Sequence, residues 1–159
     1  MEKVNGSPDV KLLECTNPVR DYWRIRFDVQ TKDDGTADYM EHQLYAKPTL
    51  QQVKAIITEY INEQTDQKIL SGLTYQNQMV WLSAENQANY KAAYDLAVQT
   101  QGENLPYKVK LGSEDEPSYR EFSSLQDFKA FYLSIQRHID TAIQEGWAKK
   151  DAIDWSQYQ

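Results

Sequence analysis

The sequence has only one cysteine, Cys15, and only six glycines among its 159 residues. A lone cysteine excludes an intramolecular disulfide and a zinc site made of several thiolates. No glycine-rich phosphate loop is present. No run of about 18 apolar residues occurs, and the opening residues MEKVNGSPDV lack the apolar core of a signal peptide. We therefore expect a protein that is synthesised and folds in the cytoplasm.

Positive charge is also scarce. There are 17 lysines and arginines against 24 aspartates and glutamates, which gives a formal net charge of −7. The basic residues are scattered along the chain rather than clustered, and phosphate backbones repel a surface of net negative charge. We expect neither nucleic acid nor membrane among the partners.

What the sequence does contain is a pattern of two strands and a helix that occurs three times. Apolar and polar residues alternate over Tyr22–Thr31, which is the period of a half-buried strand. Asp33–Gly35 supplies a hairpin turn, and Thr36–Tyr45 returns as the partner strand. A capping box that starts at Thr49 begins a helix, and Gly72 is a natural C-cap for it. The predicted apolar face of this helix is Leu50, Val53, Ile56, Ile57, Tyr60 and Ile61.

The second repeat of the pattern is shorter. Leu73–Gln76 and Met79–Leu82 are predicted strands that flank a turn at Asn77-Gln78. Ser83 can cap the following helix, because its hydroxyl can accept from an early backbone N–H. Tyrosines, alanines and a valine then recur at helical spacing, and we expect the helix to span Ala84–Gln101. Its predicted apolar positions are Tyr90, Ala93, Tyr94, Ala97 and Val98.

The third repeat contains the strands Tyr107–Leu111 and Ser118–Phe122 around a turn-rich acidic loop. Ser123 or Ser124 caps the third helix, and Gly146 is predicted to end it. The helix carries a complete apolar stripe of Leu125, Phe128, Phe131, Tyr132, Ile135, Ile139, Ala142 and Ile143.

These patterns predict an α+β fold of antiparallel β-hairpins, each followed by an amphipathic helix, with the helices packed on sheet. A chain of this length most naturally forms one domain, here residues 1–159. The alternative is a subdivision into 1–72, the long hairpin with its helix, and 73–159, the two later repeats with an aromatic tail.

Candidate catalytic groups are few. His42, His138 and Cys15 have no partners at the spacing that a metal site or an activated nucleophile requires. Acidic residues lie in two predicted hairpin loops, Asp33-Asp34 and Glu114-Asp115-Glu116, where carboxylates usually form solvated turns. We therefore expect no enzyme, no cofactor and no metal site. A small hydrolase that uses the loop carboxylates is the weakest alternative.

Aromatic residues are more informative, because the chain has 11 tyrosines and four tryptophans. Tyrosine and tryptophan cover a large area at low entropic cost and are enriched at interfaces. Tryptophans beyond Gly146 are either folded back on the domain or offered to a partner, and folding back is the favoured interpretation. The candidate interaction surface is Trp147, Trp155, Tyr158, Tyr39 and Tyr119.

Several blocks of the sequence carry a family resemblance. They are VRDYWRIRFDV (Val19–Val29), KPTLQQVK (Lys47–Lys54), KILSGLTYQNQMVWLSAENQANYKAAYDLA (Lys68–Ala97), LPYKVKLGSEDEP (Leu105–Pro117) and GWAKKDAIDW (Gly146–Trp155). In this order they resemble a family of small proteins encoded among the structural genes of tailed bacteriophages and prophages of gut bacteria.

The resemblance implies a non-enzymatic virion-associated structural or assembly protein, associated with the tail or the tail fibre. Its implied partners are other phage structural proteins and further copies of itself, since phage particles are built on rotational symmetry. The implied final location is the phage particle. The alternatives are a head or neck accessory protein and a carbohydrate-binding adhesin, for which the aromatic residues are the only support.

Overall fold

The computed structural model describes residues 1–113 and 115–159. Within these residues the chain has an α+β fold and forms two compact units. The first unit contains residues 1–61 and 150–159, and the second contains residues 62–149. The units divide inside the first and third helices rather than at Gly72, and the aromatic tail belongs to the first unit.

Eight strands and three helices make up the described chain. The strands are β1 (Glu2–Gly6), β2 (Leu13–Asn17), β3 (Tyr22–Thr31), β4 (Ala37–Leu44), β5 (Leu73–Tyr75), β6 (Gln78–Val80), β7 (Tyr107–Gly112) and β8 (Pro117–Phe122). The helices are α1 (Leu50–Leu70), α2 (Ala84–Gln99) and α3 (Leu125–Asp151), followed by a terminal 3₁₀ turn (Trp155–Tyr158). No helix among these residues is both long and apolar enough to cross a membrane.

The first unit is built on a four-stranded antiparallel sheet in the order β1-β4-β3-β2. The predicted long hairpin forms its two central strands, and β3 has the predicted bounds. The edge strands β1 and β2 were not predicted, because both are short and mostly polar. A bulge between Phe27 and Gln30 interrupts the pairing of β3 with β4, and Asp28 adopts a positive φ of 54° there.

One face of this sheet packs on the N-terminal half of α1. Ile25 and Phe27 of β3 contact a core that includes Val53, Ile57 and Ile61. The predicted apolar face of α1 is confirmed, since Leu50, Ile56 and Tyr60 pack around this core. The predicted capping box also forms, because Thr49 N donates to Gln52 Oε1 at 2.8 Å and Gln52 N donates to Thr49 Oγ1 at 3.2 Å.

The second unit contains two separate two-stranded sheets, β5-β6 and β7-β8. Gln76 and Asn77 form the β5-β6 turn, with φ angles of 48° and 65°, which suit a tight hairpin. The predicted turn at Asn77-Gln78 is therefore one residue too late. Gly72 adopts a φ of 79° after α1, as expected for a C-cap, and a Cβ there would overlap the carbonyl oxygen of Val80.

The core of the second unit is strongly aromatic. Phe128 and Phe131 of α3 are completely buried, and Phe122 of β8 lies between them with ring centroids 5.4 and 4.8 Å away. Tyrosines from β5, α2 and β7 surround these rings. The predicted stripe of α3 is confirmed as its packed face from Leu125 to Ala142, whereas Ile143 is only half-buried. Val98 of α2 was predicted to be apolar core, but it is 48% exposed.

Helices α2 and α3 begin at serine caps. Ser83 Oγ accepts from Asn86 N at 3.2 Å, as predicted. For α3 the structure selects Ser124, whose Oγ accepts from Asp127 N at 3.1 Å. Helix α2 ends at Gln99, two residues earlier than predicted, because Gln101 adopts a positive φ of 53° and Gly102 N donates to the carbonyl oxygen of Ala97 at 2.8 Å.

Gly146 does not end α3, so that prediction is wrong. The helix continues to Asp151, and Gly146 is buried within it. A Cβ at this position would overlap Oγ1 of Thr65 in α1. Residue 146 is glycine because α3 and the C-terminal half of α1 approach each other closely there. Close packing of this kind is a common reason for a glycine inside a helix.

Candidate interaction site

Two of the aromatics predicted to fold back, Trp155 and Tyr158, pack on the first unit, whereas Trp147 lies exposed on α3. Tyr158 is 4% exposed, and its hydroxyl donates to the carbonyl oxygen of Arg26 at 2.8 Å. Burial raises its pKa to about 12. Trp155 is half-buried, and its ring centroid lies 6.1 Å from the ring centroid of Tyr158. The ammonium of Lys54 lies 5.4 Å from the Trp155 ring centroid. Tyr158 is thus core rather than interaction surface.

Tyr39 is also core rather than surface. It is 6% exposed on β4, and a Cβ on the neighbouring Gly6 would lie 2.7 Å from its hydroxyl oxygen. The guanidinium carbon of Arg26 lies 5.9 Å from its ring centroid. The alternation of β4 predicted a strand, but it could not show that β1 covers this tyrosine.

Trp147 and Tyr119 are the two exposed members of the predicted set. Trp147 is 61% exposed on α3, and Tyr119 is 62% exposed on β8. Both belong to the second unit, whereas Tyr39, Trp155 and Tyr158 belong to the first. The predicted surface is therefore divided, and only these two rings are largely accessible.

The first unit holds a buried cluster of charges that the sequence did not reveal. Arg26 is 8% exposed and Glu41 is 7% exposed. Arg26 Nε donates to Glu41 Oε2 and an Arg26 terminal nitrogen donates to Glu14 Oε2, both at 2.8 Å. The other terminal nitrogen donates to the carbonyl oxygen of Lys11 at 2.9 Å. Burial lowers the pKa of Arg26, but the two carboxylates outweigh this effect and raise it above its usual value.

This cluster is a structural network, because its groups are already paired. Glu41 uses one carboxylate oxygen for Arg26 and the other, at 3.1 Å, for Arg24 Nε. The Arg24 Nε contact is an ion pair without good hydrogen-bond geometry. Each oxygen of the Glu41 carboxylate therefore lies against a guanidinium group.

The loop carboxylates are solvated turn formers where the structure describes them. Asp34 Oδ1 accepts from Thr36 N at 2.9 Å and from Thr36 Oγ1 at 2.7 Å, and these hydrogen bonds lower the pKa of Asp34. Asp33, Asp115 and Glu116 are exposed. Glu114 lies outside the described residues. A general acid needs a raised pKa, so Asp34 does not suit that role.

The two histidines and the cysteine lie on different elements, His42 on β4, His138 on α3 and Cys15 on β2. His42 is on β4 opposite Ile25, and burial together with the charge of the amino terminus lowers its pKa. His138 Nε2 lies 3.1 Å from the carbonyl oxygen of Lys68 in α1. Over residues 1–113 and 115–159, no three histidine, cysteine or acidic side chains come close enough to hold a metal ion.

A cavity of about 360 Å³ lies in the second unit, between β7 and the N-terminal half of α2. Residues 107–113 line it consecutively, and the opposite side is formed by Trp81, Asn86, Asn89 and Tyr90. Successive side chains of a strand point to opposite faces, so a consecutive lining means that the cavity follows the edge of β7. The described residues place no strand on that edge, since β7 pairs only with β8.

Trp81 is held at one end of this cavity, which we call the β7 cavity. Its indole Nε1 donates to the carbonyl oxygen of Gly112 at 2.6 Å, and Asn86 Nδ2 donates to the Trp81 carbonyl oxygen at 3.2 Å. The indole is 46% exposed. The ring is thus fixed by hydrogen bonds while part of its surface remains accessible.

Tyr90 is the buried polar residue of the β7 cavity. It is 6% exposed and packs edge-to-face on Phe131, with ring centroids 5.4 Å apart. Burial, followed by the nearby Tyr107, raises its pKa. Among the residues that the structure describes, none forms a hydrogen bond with its hydroxyl. Asn89, one residue earlier and exposed, likewise keeps its amide unpaired within the described chain.

The β7 cavity was missed because no single segment encodes it. Met79–Leu82 was predicted as a strand, which would have placed Trp81 within a ladder, but β6 ends at Val80. Tyr90 was assigned to the core by its helical spacing. Spacing predicts burial, but it cannot predict whether a hydroxyl finds a hydrogen-bond partner. The useful signal was the exposed pair of lysines, Lys108 and Lys110, at alternate positions of a predicted strand.

The chain belongs to the family described as "Domain of unknown function (DUF4376)", whose model matches residues 52–158. The matched region begins inside α1 and ends in the terminal 3₁₀ turn, so it contains the whole second unit but none of β1–β4. No curated protein and no solved structure matches the chain.

Proposed function

We propose that the protein is a non-enzymatic structural or assembly protein of a tailed bacteriophage, associated with the tail or the tail fibre. It acts through contacts with other phage structural proteins and with further copies of itself. The sequence blocks quoted above support the phage origin. The accessible apolar surface of the second unit supports a role in protein–protein contact.

The observation that carries this proposal is the exposed ring of Trp147. Leu133, 38% exposed, lies on the same helix almost four turns earlier, at about 3.6 residues per turn. Both side chains therefore lie on one face of α3. A tryptophan that is 61% exposed is an anchor of the kind that dominates protein interfaces.

The direct test is the composition and assembly of particles from a phage that carries this gene. We expect mass spectrometry to detect the chain in purified particles, and we expect the variant Trp147→Gln to reduce the yield of complete tails. Loss of a buried tryptophan anchor at an interface costs about 2 kcal/mol or more. Thr141→Gln, at an exposed position about 120° around the helix from Trp147, is the control and should assemble normally.

Two outcomes define the role more closely. Absence of the chain from particles, together with loss of fibres when the gene is deleted, would identify a transient assembly factor. Normal particles and normal infectivity after deletion would overturn the proposal. Light scattering on the isolated protein measures the number of copies that associate.

A further inference from the structure

The β7 cavity has the form of a groove between a strand edge and a helix. Strand β7 lies along one side and the first turns of α2 lie along the other. The six residues of β7 extend over about 20 Å, at about 3.3 Å per residue. An open strand edge that lines such a groove can accept an extended peptide through main-chain hydrogen bonds.

We propose that this groove binds an extended acidic segment of a partner protein, which adds to β7 as a further strand. The inference rests on the proposed function, because it names one surface through which the protein makes its contacts. It concerns a different surface from Trp147, and the two can be tested separately.

Charge on β7 identifies the chemistry of the segment. Lys108 and Lys110 are both exposed on the same face of the strand, two residues apart. Lys110 forms no ion pair with any described residue. Lys108 lies 3.8 Å from Glu121, but both side chains are more than half exposed, so this pair is loose. An added strand with acidic side chains at alternate positions would place them beside both lysines.

Tyr90 supplies the second, independent observation. Its side chain lines the cavity and its hydroxyl has no hydrogen-bond partner among the described residues, so an occupant of the cavity can provide one. A main-chain carbonyl of the added segment accepts from the Tyr90 hydroxyl, and the free amide of Asn89 can bond the same chain. The exposed part of the Trp81 indole offers an apolar contact for one side chain of the segment.

A second copy of the chain is a poorer occupant of this edge. If two β7 strands pair antiparallel about Val109, Lys108 of each copy lies opposite Lys110 of the other. Like charges directly opposite each other destabilise a strand pair. The acidic segment removes this repulsion, which is why we assign the groove to a partner of opposite charge.

The experiment titrates the full-length isotope-labelled protein with the peptide acetyl-Thr-Glu-Val-Glu-Val-Glu-Thr-amide and follows backbone amide signals by NMR. We expect the signals of residues 107–112 to shift and their hydrogen exchange to slow, because a new ladder protects the strand edge. A peptide with the three glutamates replaced by lysine should cause no such change.

Two variants locate the contact. Lys110→Glu should weaken binding of the acidic peptide by about tenfold, because it places like charges opposite each other. Lys129→Glu, an exposed lysine on α3, makes the same change in net charge and should leave the affinity within about twofold. Tyr90→Phe keeps the ring packing and should weaken binding by about fivefold. Near-ultraviolet circular dichroism verifies that each variant is folded.

Three results would overturn the inference. The first is no shift in residues 107–112 at about 1 mM acidic peptide, the limit of weak binding. The second is an equal loss of affinity in Lys110→Glu and Lys129→Glu. The third is a titration in which an N-acetylglucosamine oligomer, but not the peptide, shifts the cavity residues, because that would make the groove a saccharide site. If the peptide fails while the chain is found in particles, only this inference falls.

Discussion

At the scale of single residues, Gly146 shows how one absent side chain sets the packing of a helix. The sequence rule that glycine ends helices predicted a stop here. The helix instead runs through Gly146. Glycine is needed at this position because a Cβ would overlap Thr65. Sequence spacing cannot distinguish these cases, since both place a glycine after an apolar stripe.

Gly146→Ala should destabilise the protein by about 1 to 2 kcal/mol. In an unconstrained helix the same change stabilises by up to about 1 kcal/mol, but here the added methyl group overlaps Thr65 and overpacking costs about 1 to 3 kcal/mol. Urea denaturation measures the free energy of unfolding, with Gln144→Ala on the exposed face of α3 as the control.

The double variant tests the stated cause. In a Thr65→Ala background the same Gly146→Ala change should cost less, because the atom that it overlaps is gone. Stabilisation by Gly146→Ala in the wild-type background would contradict the proposed close contact.

At the scale of elements, the strongly periodic segments were predictable and the short polar ones were not. Strand β3 was predicted with its observed bounds because Trp23, Ile25 and Phe27 alternate with polar residues. Strands β1 and β2 offer no such alternation, and only their pairing with β4 and β3 makes them strands. The β7 cavity could not be predicted for a related reason, since its walls come from β7, α2 and the loop before α2, and no local pattern encodes how these assemble.

The start of α3 gives a test at this scale. Ser124→Ala should destabilise the protein by about 1 kcal/mol, because it removes the side chain that accepts from Asp127 N at 3.1 Å. Ser123→Ala, one residue earlier and also exposed, should change the free energy of unfolding by less than about 0.5 kcal/mol. Thermal or urea unfolding compares the two, and equal losses would show that Ser124 is not the cap.

At the scale of the whole molecule, residues from distant parts of the chain complete the first unit. Tyr158 and Trp155 pack with β3 and α1, and the family match, 52–158, ends within this terminal turn. The fold class was predictable from the alternating strands and amphipathic helices. That the tail packs back on β3 was only the favoured alternative. No local pattern identifies Arg26 as the partner of Tyr158, which lies 132 residues later.

The docking of the tail should be sensitive to alkaline pH. The folded-state pKa of Tyr158 is raised to about 12, from an ordinary value of 10.0, by burial. The neutral phenol is thus favoured in the folded state, so its stabilisation is complete below about pH 10 and is lost as pH rises through about 12. At about 1.4 kcal/mol per pKa unit, this loss is about 2 to 3 kcal/mol.

Urea unfolding at about pH 9 and about pH 11.5 measures this loss. The wild type should lose more stability between the two than Tyr158→Phe, which has no phenol to ionise. At neutral pH Tyr158→Phe should itself cost about 1 kcal/mol, for the hydrogen bond to the Arg26 carbonyl. Tyr119→Phe, on an exposed ring, is the control. An identical alkaline loss in wild type and Tyr158→Phe would contradict this account.

The contact between Tyr158 and Arg26 also bears on the order in which the two units complete folding during synthesis. The core around Ile25 and Val53 lacks Tyr158 until that residue has left the exit tunnel. The second unit, residues 62–149, is fully synthesised before then. Because domains tend to fold as they emerge during synthesis, the unit that is translated first would be the one completed last.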